Sequence, residues 1–266
     1  MISAENITKI YKGLKAIDNI SLKIADGEIY GIAGLNGAGK STLISILAGV
    51  VRPNFGNVLY NDVDIFSKRK NAAIKIGYVP QEIALFPELS VLDNLKFWSA
   101  ASNSVQKRIL SQAYLESLFE HISLIAGLKS ILSKKVSTLS GGMKRRVNIS
   151  AALCSDPDIL IMDEPTAGLD VKNRRDIINF VTDLVKNSNR FTNKKMTVIY
   201  TSHQSGELEQ ICDKILLIHN GKKILESPTN ELFNHFSQSY LSSDLQTNLN
   251  KMTTIDDILY NIDRLL

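Results

Sequence analysis

The stretch Gly34-Leu-Asn-Gly-Ala-Gly-Lys-Ser41 governs how the surrounding sequence is read: a glycine, four residues, then Gly-Lys-Ser. Glycines let successive backbone N–H groups turn inward around phosphate oxygens. Lys40 can then reach the β and γ phosphates, and the Ser41 hydroxyl can bind Mg2+. The flanks supply the context this chemistry needs. The run "EIYGIAG" leads into the loop as a buried strand, and Leu43, Ile44, Ile46 and Leu47 follow it at helical spacing. A helix that starts at a phosphate adds the positive end of its dipole.

Two later stretches extend this chemistry. Ile159-Leu-Ile-Met-Asp-Glu164 puts two carboxylates at the C-terminal end of a continuous apolar run, where open α/β sheets place their ligand crevice. Asp163 suits the outer shell of Mg2+, and Glu164, one residue further toward the γ-phosphate, can orient and deprotonate water. An acidic pair capping a strand is common, so the loop upstream gives this pair its weight. The second stretch is Leu139-Ser-Gly-Gly-Met-Lys-Arg-Arg146. Ser140 is a good N-cap, and Gly141 and Gly142 leave the first helical N–H groups bare for an anion. Lys144, Arg145 and Arg146 then fall in early turns, where the macrodipole disfavours cations unless something negative lies nearby. Read alone, the stretch is a helix start with a solvated basic face.

Residues 5 to 33 are expected to form short antiparallel strands leading into a buried one, with Asp26-Gly27 as a hairpin turn. Residues 82 to 138 change character. Ser90 and Asp93 resemble a capping box ahead of Val91, Leu92, Leu95 and Trp98, and a second periodic run spans Val105 to Ile125. This predicts an inserted helical lobe. The α/β pattern resumes at Ile159 and at Met196 to Thr201, and Asn220-Gly221 marks another hairpin. Ser237 to Asn250 is polar and expected to be loose. The final stretch puts Ile255, Ile258, Leu259, Ile262 and Leu266 on one helical face, docked on this chain. No internal repeat is visible.

With 44% hydrophobic residues in a chain of 266, a real core is expected and a disordered chain is not. The net charge of +4, from 31 basic and 27 acidic residues, is mild and shows no patch of the extent that nucleic acid needs. No nucleic-acid partner is expected. Cys154 and Cys212 each lie in an apolar stretch, which fits buried thiols rather than a disulfide or a metal site. The N-terminus lacks a signal-peptide run, and no apolar stretch approaches the ~18 residues of a membrane helix. A soluble, cytoplasmic chain is expected, with any membrane span supplied by another chain.

Here the residues carry a resemblance. The chain resembles an ATP-binding cassette (ABC) ATPase, the nucleotide-binding subunit of ABC transporters, over nearly its whole length. "GLNGAGKS" is similar to the Walker A loop, "ILIMDE" to the Walker B strand and "LSGG" to the signature that separates this family from other phosphate-loop proteins. Four looser elements fall in family order: Tyr11, where the family stacks an aromatic on adenine; Gln81 in "VPQE", the lid glutamine; Asp170 in "GLD"; and His203 in "TSH", the switch histidine.

The resemblance implies an α/β fold: a P-loop NTPase core with a mainly parallel sheet, an N-terminal antiparallel β subdomain and an inserted α-helical lobe. Residues 1–236 would form the ATPase domain, with the lobe at about 82–155, and 237–266 a polar linker and C-terminal helix. It implies ATP contacts from Tyr11, Gly34, Asn36, Gly37, Ala38, Gly39, Lys40, Ser41, Thr42, Gln81, Ser140, Gly141, Gly142 and Asp170. Mg2+ would be held by Ser41, Gln81 and Asp163, and Lys40, Glu164 and His203 would serve catalysis. In that family two cassettes pack head to tail, so the signature of one chain closes over ATP on the Walker A loop of the other. The partners implied are a second cassette, identical or paralogous, and an integral membrane permease, with the chain peripheral on the inner face of the membrane. Met143, where many members have glutamine, and the terminal "TTIDDILYNI" resemble the branch that exports drugs, antibiotics, peptides and lipids through a separate membrane subunit. A soluble ABC ATPase acting on ribosomes or DNA is the alternative; against it stand a single cassette and no heptad insertion. A phosphate-loop kinase or GTPase needs no LSGG stretch or switch histidine, and no guanine-reading Asn-Lys-X-Asp run is present.

Overall fold

The computed structural model describes residues 1–67, 75–105, 111–186, 195–240 and 254–265. The chain forms two compact units, Met1–Leu59 with Ile199–Leu266, and Tyr60–Val198. The first unit opens with β1 (Ile2–Tyr11), β2 (Leu14–Ile24), β3 (Ile29–Ala33), α1 (Lys40–Leu47) and β4 (Phe55–Tyr60). The second carries β5 (Val63–Asp64), β6 (Ile76–Val79), α2 (Val91–Val105), α3 (Gln112–Ile125), α4 (Gly141–Leu153), β7 (Ile159–Met162) and α5 (Val171–Lys186). β8 (Thr197–Thr201) leads back into the first unit, which closes with α6 (Ser205–Ile211), β9 (Lys214–His219), β10 (Lys222–Pro228), α7 (Leu232–Tyr240) and α8 (Ile255–Leu265).

In the first unit β1 and β2 form an antiparallel ribbon that turns at Lys12-Gly13, with Tyr11 opposite Leu14. Both turn residues have positive φ, 48° and 85°, as a two-residue hairpin of the twisted kind requires. These strands run 10 and 11 residues, so they are long rather than short as the sequence predicts. Asp26-Gly27 corrects a second expectation. It is a turn but not a hairpin, because β2 pairs with β1 in one sheet while β3 lies between β9 and β8 in another. An apolar run on each side of a turn fixes neither run's partner. Asn220-Gly221 does close a hairpin, with Lys222 opposite His219.

β3 runs parallel to β9, Tyr30 opposite Lys214 through Ala33 opposite Leu217, and all five β3 residues are buried. This is what a continuous apolar run covered on both faces predicts. α8 begins with a reciprocal capping box: Asp257 N–H donates to Thr254 Oγ1 at 3.2 Å, and Thr254 N–H to Asp257 Oδ2 at 3.0 Å. Its Ile255, Ile258, Leu259 and Ile262 are buried against the chain itself, where α8 meets α6, as the sequence predicts. Each such burial is worth ~1.5–3 kcal/mol. Leu266 lies outside the described residues, as does most of the polar segment from Ser237 to Asn250; residues 237–240 are the last turn of α7.

In the second unit β6 and β7 pair in parallel from Ile76–Ile159 to Val79–Met162, and β7 is wholly buried. α2 is capped by Ser90, whose Oγ accepts the Asp93 N–H at 3.1 Å. Buried Asn94 receives the Phe86 N–H and donates to the Phe86 and Ser90 carbonyls, lashing the preceding loop to the helix. The second helical run starts at Gln112 behind the N-cap Ser111, later than Val105, which closes α2. Residues 106–110 lie outside the described residues. With an antiparallel β1–β2 sheet and mainly parallel pairing elsewhere, the fold is the mixed α/β class expected. Both cysteines are free and buried, as predicted, and burial pushes both thiols well above their usual range. Among the described residues no helix is long and apolar enough to cross a membrane.

Candidate nucleotide-binding site

In the first unit the loop Gly34 to Gly39 joins buried β3 to α1. Gly39 is the N-cap of α1 at φ 106°, a left-handed conformation, and no side chain caps the helix. A Cβ there would lie 2.5 Å from the Ala16 carbonyl oxygen, so backbone approach and dihedral both demand glycine. The loop is pinned by the Ala38 N–H to Leu35 O bond at 3.1 Å and by the Gly221 N–H to Ala38 O bond at 3.0 Å. Lys40 is buried and bends back over the loop, its Nζ donating to Gly34 O at 2.8 Å and Leu35 O at 3.2 Å. Leu35, Asn36, Gly37 and Ser41 are exposed, Thr42 half-buried and Ala38 buried. Such a loop brings an ammonium and the positive end of a helix dipole to one place, a combination suited to an anion.

Tyr11 stands at the end of β1 with its ring exposed and Lys9 Nζ 5.1 Å from the ring centroid. His203 is exposed two residues after β8, just ahead of α6. In that helix Glu207 is buried and accepts from Ser202 Oγ at 2.9 Å and Tyr200 Oη at 3.3 Å, bracing the turn that carries the histidine.

In the second unit Asp163 and Glu164 follow β7 directly and both are buried. The Asp163 N–H donates to Val79 O at 2.9 Å, so the strand pairing runs right up to the carboxylates. Glu164 sits at φ 45°, left-handed for a residue with a side chain, a conformation found disproportionately at functional sites. Gln81 Nε2 donates to Glu164 Oε2 at 3.2 Å, joining two predicted site residues 83 positions apart.

Ser140 caps α4 as predicted: its Oγ accepts the Met143 N–H at 3.3 Å. Gly141 is exposed and Gly142 buried. The three cations after them do not form one solvated face. Arg145 is buried, and Arg146 reaches Asp176 Oδ2 at 3.5 Å. Asp170 caps α5, accepting the Asn173 N–H at 2.9 Å on Oδ1 and the Asn173 side-chain amide at 2.6 Å on Oδ2. These two hydrogen bonds hold its carboxyl below the usual range. The same Asn173 lies across Gly142: a Cβ on Gly142 would come within 2.3 Å of Asn173 Oδ1. Asn173 and the inward turn of Arg145 escape sequence reasoning. The one hint of the latter is that a cation in the first turns of a helix is out of place.

The family described as ABC transporter matches residues 17–167, and a second family, described as an AAA domain, putative AbiEii toxin of a type IV TA system, matches residues 135–209. The linearmycin resistance ATP-binding protein LnrL of Bacillus subtilis (strain 168) is 41% identical over 224 residues, 84% of this chain and 68% of that protein. The methionine import ATP-binding protein MetN 1 of Oenococcus oeni (strain ATCC BAA-331 / PSU-1) is 32% identical over 269 residues, 98% of this chain and 73% of that protein. The dimeric structure of an ATP-binding cassette in a post-hydrolysis state, bound to ADP and Pi, superposes with a TM-score of 0.72 at 26% identity, covering 86% of this chain and 99% of that one. A phosphate loop, buried carboxylates next to a glutamine and a glycine-opened second helix thus meet matching sequence and fold, and the chain belongs to the ABC transporter family as an ATP-binding cassette, an ATPase that drives transport.

Proposed function

We propose that this cassette binds Mg-ATP, hydrolyses it with Glu164 as general base, and works as a head-to-tail pair beneath a separate membrane permease. The observation that carries the catalytic reading is the Gln81–Glu164 hydrogen bond at 3.2 Å, an amide set against a buried carboxylate directly beyond a strand end. The loop residues Gly34, Asn36, Gly37, Ala38 and Gly39, with Thr42, surround the phosphates, Lys40 neutralises them and Tyr11 stacks on the base. Glu164 takes a proton from water, Gln81 and His203 position the attack, and Asp170 braces the signature stretch Ser140–Gly142. That signature faces the ATP of the opposite chain. Residues 1–236 form the ATPase domain, with its helical lobe at about 82–155.

The donors assigned to the metal fit Mg2+. They are hard oxygens, the Asp163 carboxylate, the Ser41 hydroxyl and the Gln81 amide. When bound, Mg2+ supplies neutralisation of the phosphate charge.

For the membrane side, Phe86, Phe97 and Leu89 are exposed together in the helical lobe, with the Phe86 and Phe97 rings 4.7 Å apart. An apolar patch of this kind suits a cytoplasmic helix of a permease. Export of a drug, antibiotic, peptide or lipid is the direction favoured by Met143 and by the name of the linearmycin resistance relative. The methionine import relative is less similar, at 32% identity. The test of the chemistry is Glu164→Gln in purified protein: ATP should bind as before while turnover falls by about 10²–10⁴, and ATP-bound dimers accumulate. Undiminished hydrolysis removes Glu164 from the role.

A further inference from the structure

Arg145 is 5% exposed, and its guanidinium reaches two backbone carbonyls: one terminal nitrogen donates to Pro80 O at 3.1 Å, the other to Gln81 O at 2.7 Å. Pro80 and Gln81 are the first residues beyond β6. Val79 pairs with Met162 at the end of the parallel ladder, so Gln81 and Glu164 each stand two residues past the same register pair. The ladder itself does not hold Gln81, whose side chain nonetheless meets Glu164 at 3.2 Å.

We infer that Arg145 is a positioning residue for hydrolysis. Its planar fork grips two successive carbonyls and thereby fixes where the Gln81 amide stands against Glu164, with α4 as the rigid arm behind it. A guanidinium matches two acceptors in one plane, which an ammonium cannot do with comparable geometric definition. Burying the charge is costly, and an apolar side chain of similar volume would serve stability as well or better. The position also opposes the helix dipole. A charge kept in such a place is explained by what it orients. It ties the helix that begins at Ser140, where the signature glycines lie, to the loop that carries Gln81, so a shift of one moves the other. This rests on the reading of Glu164 as base, which the controls below test separately.

The test is steady-state ATP hydrolysis by the full-length protein carrying Arg145→Met, Arg145→Lys, Gln81→Ala, and Arg145→Met combined with Gln81→Ala. A misplacement on the order of 1 Å at a reacting centre costs up to about 10²-fold in rate, so Arg145→Met should lower kcat by about 10–100-fold while leaving KM for ATP within about 3-fold. Arg145→Lys, which can reach one carbonyl, should recover part of the loss. In the Gln81→Ala background Arg145→Met should cost less than about 3-fold more, because what it positions is gone. An equal fold-loss in both backgrounds overturns the proposal, as does a kcat within about 2-fold of wild type. If neither Arg145 variant folds, Arg145 serves stability and the proposal fails. Full activity of Glu164→Gln would overturn the base reading and this proposal with it. Loss of activity there, with Arg145→Met at the wild-type rate, overturns the positioning role alone.

Discussion

Two helix starts in this protein invite comparison, that of α1 at Gly39 and that of α4 at Ser140. α1 has no side-chain cap and begins on a glycine in the left-handed region. α4 begins on a serine whose Oγ takes up the Met143 N–H, and its second residue is pressed by Asn173. A helix leaves its first N–H groups orphaned, and a protein can satisfy them itself or keep them for a ligand. The first start has no side-chain cap and brings a lysine to the loop; the second satisfies one N–H through its serine and leaves its opening glycine, Gly141, exposed. The difference teaches that the first suits sole custody of an anion, whereas the second suits closing over one already held elsewhere.

The largest expected effect tests that division directly. Lys40→Ala damages the first start and Gly142→Asp the second, so each homodimer should be nearly inactive. In mixed dimers one site combines both damaged parts and the other both sound ones, so random mixing should restore at most about a quarter of wild-type sites. A flat zero across mixing ratios, with mixed dimers shown to form, would refute composite sites.

Next in size is Gly142→Ala. The added methyl group meets Asn173 Oδ1 at 2.3 Å, so crowding should cost about 1–3 kcal/mol in a denaturation curve. Adding Asn173→Ala should remove most of that cost, because alanine is otherwise the better helix former. An equal cost with and without Asn173 would show that the side chain does not press on the glycine.

Ser140→Ala should then destabilise by about 1 kcal/mol, the usual worth of an N-cap, with a modest loss of activity. A start whose N–H groups served ligand alone would show no such loss.

The smallest effect is a pH dependence. Asp170 has a folded pKa below its unfolded value because Asn173 donates to it twice. Its contribution is therefore fully present above the unfolded carboxylate pKa of about 3.9 and fades as pH falls through the lower folded value. Acid melts of wild type and Asn173→Ala should converge below that range and separate above it. The backbone N–H at 173 survives the substitution, so curves that stay parallel throughout would mean that the Asn173 side-chain amide does not hold the carboxylate.

Where a feature depends on a short backbone shape, the sequence is enough. The phosphate loop, the carboxylates after β7 and the Ser140 cap are local: a few adjacent residue types dictate dihedrals and donors, and the structure has each where its stretch predicts. The amphipathic face of α8 was equally legible, since 3.6-residue periodicity is a property of the chain alone.

Other features were decided only by the tertiary structure. Asp26-Gly27 reads as a hairpin and instead carries the chain between sheets, while Lys12-Gly13, without the usual Asn or Asp, makes the true one. Arg145 reads as one of three solvated cations and turns out to grip the Pro80 and Gln81 carbonyls, more than sixty positions away in sequence. Asn173 has no signature, yet it links Asp170 to Gly142. Residue type and spacing encode what a segment does with its own backbone. Which partner a strand pairs with, or a buried charge finds, is a contest among distant segments, resolved by the burial and hydrogen bonding of the whole fold.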